Sequence, residues 1–516
     1  MGGTIDNTGM ISLEGSGETA ALSITGMGVT LTGGGVIVMN NDVLQIGGEA
    51  AGSVLDNVNN TISGAGVIGA GVILNNGSAG AIEANGSYSS GQGEILIDSA
   101  GQTIVNDGLL QANGASGGGG ELVIKDSTVD QLGGGTILGA PGQVTLEDVS
   151  VIGGTVGSTG GRAIPVMITG SSDELDGLTS PVIILGEVKL PVAGTARSPA
   201  TTALTIEGTI HDEGVIALDA DRSASTVALI VGAQGATLSG DGLLSLSPST
   251  MNVVEGVAAS STLTNDERIV GGGDLGGGEL SLVNATTGVI NGDATVGLTI
   301  NAGSTTIASE GTITATGTGG VTIKSAIDNT GVVSAAYGNL TIDGEVTGDG
   351  RAVVNSATLD FASSFNEYVS FTANPFSTSV LELADSQTYG GTISGFSKTG
   401  ATELELDDIG FVSSTEATFV ENSNGKSGIL TVTYGIHTAQ IHLLGNYDSS
   451  TFVASSNGEG GTFVTDPINS STRIVAARFA ASAAAFDVPR AASPTKTAEE
   501  FSASRFILTQ TSRANV

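Results

Sequence analysis

Residues 4–13 read TIDNTGMISL and residues 326–335 read AIDNTGVVSA, and the two stretches share Ile, Asp, Asn, Thr, Gly and Ser in the same order. Self-similarity of this kind marks a repeated structural unit. A looser pattern of apolar run, glycine-rich turn and second apolar run occurs four times. It reads TLTGGGVIV from Thr30, TISGAGVIG from Thr61, TLSGDGLLS from Thr237 and EVTGDGRAVV from Glu345. The turn glycines Gly288, Gly311, Gly331 and Gly350 follow one another at 23, 20 and 19 residues. That spacing predicts a coil of roughly 20 residues, within the range of solenoid repeats.

Between the turns, ELVIK at 121–125, QVTLED at 143–148, LTIEG at 204–208 and LTIDG at 340–344 alternate apolar and polar residues, as half-buried strands do. Gly, Asn and Asp separate them and are expected to supply the positive φ angles of tight corners. One coil cannot bury its own apolar face, whereas stacked coils bury a continuous column of Val, Ile and Leu. The fold class predicted is therefore all-β: a parallel β-helix, or β-solenoid, with about 18 coils and a length on the order of 85 Å at the usual strand spacing.

Composition bounds the rest. The chain has 516 residues, 81 of them glycine, no cysteine and a formal charge of −36. The glycines lack the three-residue period of collagen, and without cysteine there is no disulfide, zinc–thiolate or thiol chemistry. The acidic balance repels phosphate, so nucleic acid is not an expected partner. No run of about 18 apolar residues suggests a transmembrane segment, and no series of girdled ten-residue strands suggests a membrane barrel.

Two shifts divide the chain. All 13 phenylalanines lie from Phe361 onward, while Tyr88 and Tyr337 are the aromatics before it. Near residue 467 the acids thin out and Ala, Ser and Arg take over, with Arg473, Arg478, Arg490, Lys496, Arg505 and Arg513 in the tail. The expected organisation is solenoid repeats over 1–360, a small β-rich capping module over 361–466, and a disordered tail over 467–516. Large aromatics would overfill a narrow bore, which would account for their exclusion before 361. In the second region GILTVTY at 428–434 and HTAQIHLL at 437–444 are expected to form a hairpin through Gly435 and Ile436.

The wording of LDNVNNTISGAGVIG at 55–69, GGGELSLVN at 276–284 and GVTIKSAIDNTG at 320–331 resembles the β-strand-repeat, adhesin-like large exported proteins of rhizobia and related α-proteobacteria. Residues 390–411 and 428–467 resemble the module that closes many of those chains. The resemblance implies an extracellular or cell-surface protein, exported by a type I-like route, of which this chain could be a piece. Its partners would be host or bacterial surface glycans or proteins, or further copies in a matrix.

Clustered carboxylates on a β-helix face can cleave polysaccharides, which singles out Asp212 and Glu213 beside His211, and Asp219 and Asp221 beside Arg222. The plainer reading is solvated turn acids. His437 and His442 lie five apart on one strand, which points them to opposite faces and away from a joint metal site. Glu403, Glu405, Asp407 and Asp408 resemble a segment that follows calcium repeats in type I secreted proteins, so Glu405, Asp407 and Asp408 are the calcium candidates. A solvated strand edge is the alternative there. The threonines 312, 314, 316 and 318 form a local ladder that does not recur in register, and the many GxGxxG-like strings open no helix. No catalytic residue and no cofactor other than calcium is expected. The expected function is non-enzymatic, structural and adhesive, as in a surface adhesin or biofilm matrix component. The alternatives are a carbohydrate-active β-helix and a calcium-binding type I secreted protein.

Overall fold

The computed structural model describes residues 1–468 apart from 16–19, 70, 87–92, 115–119, 161–163, 196–197, 222–224, 373 and 375. Residues 469–516, and with them nearly all of the basic tail, lie outside the described residues. Met1–Pro467 is one compact unit. Among the described residues it is all strand, turn and loop, wound as a parallel β-solenoid of about 16 turns. No helix there is long and apolar enough to cross a membrane.

The regular coils contribute three short strands, one to each of three walls. Ser281–Asn284, Val289–Gly292 and Leu298–Ile300 make one coil, and Ile307–Ser309, Thr312–Ala315 and Val321–Ile323 make the next. Their burial alternates strictly, so every second side chain enters the bore. In-register pairing then stacks like on like. Val254 pairs with Leu275, and the column continues through Ile300, Ile323, Ile342, Phe361, Leu383 and Leu406. A second wall stacks Ile269, Ile290, Ile313, Val333, Ala352, Val369, Ile393 and Leu443. Coil length varies: Ser53 pairs with Val72, whereas Asp173 pairs with Leu204. Longer coils make fewer turns, so the stack is on the order of 75 Å long rather than 85 Å.

The first column passes through residue 361 without interruption. Phe361 is fully buried and stacks on Phe365, which stacks in turn on Tyr389. The bore therefore does accept aromatic rings, and the change at 361 is one of core filling. Parallel pairing runs on to Thr402–Leu406 on one wall and to His437–Leu444 on another. Antiparallel strands then close the stack: Thr462–Thr465 lies against Thr402–Leu406, and Ser427–Tyr434 pairs with His437–Leu444. Tyr434 faces His437 across a two-residue turn in which Gly435 takes φ 62°. This is the expected hairpin, with glycine where the turn needs a positive φ.

Glycine and aspartate supply positive-φ corners as expected: Gly33, Gly64, Gly240 and Gly348 of the four repeated turns take φ 96–113°, and Asp126 and Asp148 take φ 46° and 57°. Asparagine and a second set of glycines work differently. Among the described residues, none of the non-glycine residues with positive φ is an asparagine, and Gly288, Gly311, Gly331 and Gly350 are not among the positive-φ glycines. Asparagines instead end strands and turn inward. Asn57 Nδ2 donates to Asn76 Oδ1, Asn76 Nδ2 to Asn106 Oδ1, and Asn106 Nδ2 to Gln131 Oε1, each at 2.9 Å. Gln131 Nε2 ends the run on the carbonyls of Gly153 and Thr155. A second run joins Asn265 to Asn284 at 2.9 Å and Asn284 to Ser309 at 3.4 Å. All these amides are essentially fully buried. The corner glycines leave room for backbone carbonyls of the preceding coil and, at Gly288, Gly311 and Gly350, for buried amides. A Cβ on Gly288 would lie 2.5 Å from Asn284 Oδ1, and one on Gly350 would lie 2.3 Å from Asn329 Nδ2.

Candidate functional site

The parallel register that stacks amides inside also stacks carboxylates outside. Asp360 pairs with Glu382, and Glu382 with Glu405, on the outward positions of three successive strands. Paired strand positions lie about 4.8 Å apart, so the carboxylates form a column of like charges. Asp407 joins them just past the end of its strand. One oxygen from each of Glu382, Glu405 and Asp407 can be chosen so that all lie within 4.8 Å of one another.

The electrostatics follow from burial plus repulsion. Partial burial, reinforced by Asp360, Glu405, Asp407 and Glu459, pushes Glu382 up to about 7. Burial, then Asp407, pushes Asp360 up to about 6. Glu405 and Asp407 are raised for the same reasons, burial first. Relief is slight: Asn457 Nδ2 donates to Glu405 Oε1 at 2.9 Å. A hard divalent cation needs oxygen ligands, and three carboxylates supply up to about six when bidentate, the lower end of calcium's range.

Two of the three calcium candidates read from sequence, Glu405 and Asp407, belong to this cluster. Asp408 does not, because its carboxylate accepts from Ser386 Oγ and from the backbone and side chain of Gln387. Glu382 takes its place. It is one coil earlier, and only the register brings it to Glu405.

The wall divides the other candidates. Asp212 is fully buried and accepts from Gly214 N at 2.8 Å and Leu243 N at 3.2 Å, so its carboxylate faces the bore. Burial holds it up at about 6. His211 and Glu213 stay outside, with Nε2 and Oε1 2.8 Å apart. Strict alternation thus separates the carboxylate pair that the sequence places together. Asp219 is bound to Lys189 at 2.6 Å. Arg222 lies outside the described residues, so its grouping with Asp219 and Asp221 does too. His437 and His442 are both solvent-exposed and point to opposite faces of their strand, as alternation requires.

Inside the bore lies a group that sequence reading passed over. Glu267 is 3 % exposed with both carboxylate oxygens unpartnered. Burial, then the nearby Asp212, pushes it up to about 9. Compared with protein-family models, curated proteins and solved structures, the chain matches none.

Proposed function

We propose that this chain is a non-enzymatic structural and adhesive rod, presented outside the cell as a surface adhesin or matrix component. The observation that carries the reading is the continuous parallel stack, with ladders running from Gly3 to Leu406 behind outward faces studded with acids and hydroxyls. Such a stack gives reach and many equivalent outward positions, so it suits multivalent contact. The separation of Asp212 from His211 and Glu213 by the wall favours this reading over polysaccharide cleavage. The assignment to an exported protein draws on the resemblance of the repeats and closing module.

Incubation of the full chain with pectin, alginate and rhizobial exopolysaccharide tests the reading. No new reducing or unsaturated ends are expected. Release that disappears in Asp212→Ala, or in the exposed-site variant Glu213→Gln, would overturn it.

A second reading has its own observation, the convergence of Glu382, Glu405 and Asp407. A divalent cation, calcium by ligand type, would neutralise that column and rigidify the closing coils of an exported chain. A melting temperature that is the same in chelator and in millimolar calcium would remove it.

A further inference from the structure

The sequence holds 10 prolines, and one of them, Pro467, follows an aspartate. The Asp466–Pro467 bond is also the last peptide bond of the compact unit. Such a bond differs chemically from its neighbours. An aspartate oxygen can close a five-membered ring on the carbonyl carbon of its own residue. The nitrogen on the far side belongs to a tertiary amide with no N–H, and it takes up a proton and departs more readily than an ordinary amide nitrogen.

The fold holds the aspartate firmly. Thr462–Thr465 lies between two antiparallel partners, Thr402–Leu406 and Val453–Ser456, so the chain is fixed up to the residue before the bond. Asp466 itself is 2 % exposed. Thr451 N–H donates to its Oδ1 at 3.1 Å, which pins the carboxyl. Its Oδ2 is shielded from solvent and has no hydrogen-bond partner among the described residues. An asparagine would accept the same bond from Thr451 without burying an ionisable group, so that bond alone does not call for a carboxyl. An oxygen stripped of water and of donors is a better nucleophile than a hydrated one. Its target is on the same residue, so the burial that bars an outside ligand does not bar this attack. Pro467 is exposed, and water reaches the bond from that side.

We infer that the chain cuts itself between Asp466 and Pro467. Asp466 Oδ2 bonds to the Asp466 carbonyl carbon, the C–N bond to Pro467 breaks, and the carboxyl proton passes to the prolyl nitrogen. This leaves a cyclic anhydride at Asp466 and a second chain that begins with the secondary amine of Pro467. One water then opens the anhydride to two carboxyls. The sum is hydrolysis of one peptide bond, with no oxidant, reductant or further reactant. The cut parts an acidic body from residues 467–516, where bases outnumber acids. It goes beyond the adhesive reading and does not depend on it.

The test incubates the purified full chain at about pH 6, folded and unfolded in guanidinium, and follows both by intact-mass spectrometry. Unfolding keeps the Asp–Pro bond and removes the burial. The folded chain is expected to cut at least about tenfold faster, giving one product that ends at Asp466 and one that begins at Pro467. Hydroxylamine added to the folded chain should be captured as a hydroxamate on Asp466, which a contaminating protease would not produce. Asp466→Asn, which keeps the bond from Thr451, should slow the cut at least about tenfold with an unchanged melting curve. Should that variant fail to fold, Pro467→Ala, on an exposed residue, is expected to slow the cut as much. Equal rates in the folded and unfolded chains, an unchanged rate in a folded variant, or cutting without the captured adduct overturns the inference.

Discussion

Two polar columns run along this molecule under the same geometric rule, and they end in opposite states. Parallel in-register stacking places each residue directly beneath its counterpart one coil away. Inside the bore, Asn57, Asn76, Asn106 and Gln131 each present one donor and one acceptor, so every amide satisfies the next. On the outside, Asp360, Glu382 and Glu405 present acceptors only, and stacking sets charge against charge. An amide column therefore stabilises itself, and a carboxylate column needs protons or a cation from solvent. Glu267 departs from this inside the bore, a carboxyl with neither oxygen partnered.

Breaking the amide column should produce the largest effect. Asn76→Ala removes four hydrogen bonds and leaves Asn106 Oδ1 without its donor in the core, an expected loss of about 3–5 kcal/mol. Chemical denaturation of the variant against the parent measures it. A loss below about 1 kcal/mol would mean that the column is replaceable.

Next comes the misfit. Glu267→Met keeps the side-chain length and removes the orphaned carboxyl, and should stabilise the chain by about 1–3 kcal/mol. The sign with pH is fixed by a folded pKa of about 9, above the unfolded one. The folded parent favours the proton, so its stability falls as pH rises from the unfolded value of a glutamate toward 9. The variant should lose that part of the slope, which thermal melts between pH 6 and 9.5 would reveal.

The outer column predicts a smaller trend in the same direction. Glu382 at about 7 and Asp360 at about 6 bind protons more tightly folded than unfolded. Their contribution is greatest near pH 4, declines as pH rises through 5–7, and is spent above about 8. Glu382→Gln should flatten that decline, with little change at pH 5 and a higher melting temperature at pH 8. The smallest expected effect is that of calcium at pH 8. Binding at ten times the dissociation constant is worth about 1.4 kcal/mol. It should be absent in Glu382→Gln.

Much of this fold is legible in the sequence, because strand alternation and coil spacing are local. LTIDG at 340–344 announces a half-buried strand wherever it falls, and Gly435 announces its turn. The amide column is not legible in the same way. An Asn at a strand end reads as a turn former, and only the pairing of Asn57 with Asn76, 19 residues on, shows its side chain stacking. Gly288, Gly311, Gly331 and Gly350 are hidden for the same reason, since what each must avoid is a nearby side chain or a carbonyl of the preceding coil, whereas Gly33, Gly64 and Gly240 take the positive φ that their turns announce. The carboxylate site was half legible. Glu405 and Asp407 are close in sequence, but Glu382 enters through register and Asp408 leaves through Ser386 and Gln387. Asp212 and Glu213 show the reverse case, neighbours in sequence that alternation sends to opposite sides of a wall.

The claim that the chain holds rather than converts its partner can be tested in one measurement. Neutral-glycan-coated particles are flowed over the immobilised full chain, and retained particles and released sugar are counted together. Stable retention with no sugar released is the result predicted. Retention no greater than on an inert protein surface, or retention that decays as reducing ends appear, would contradict it.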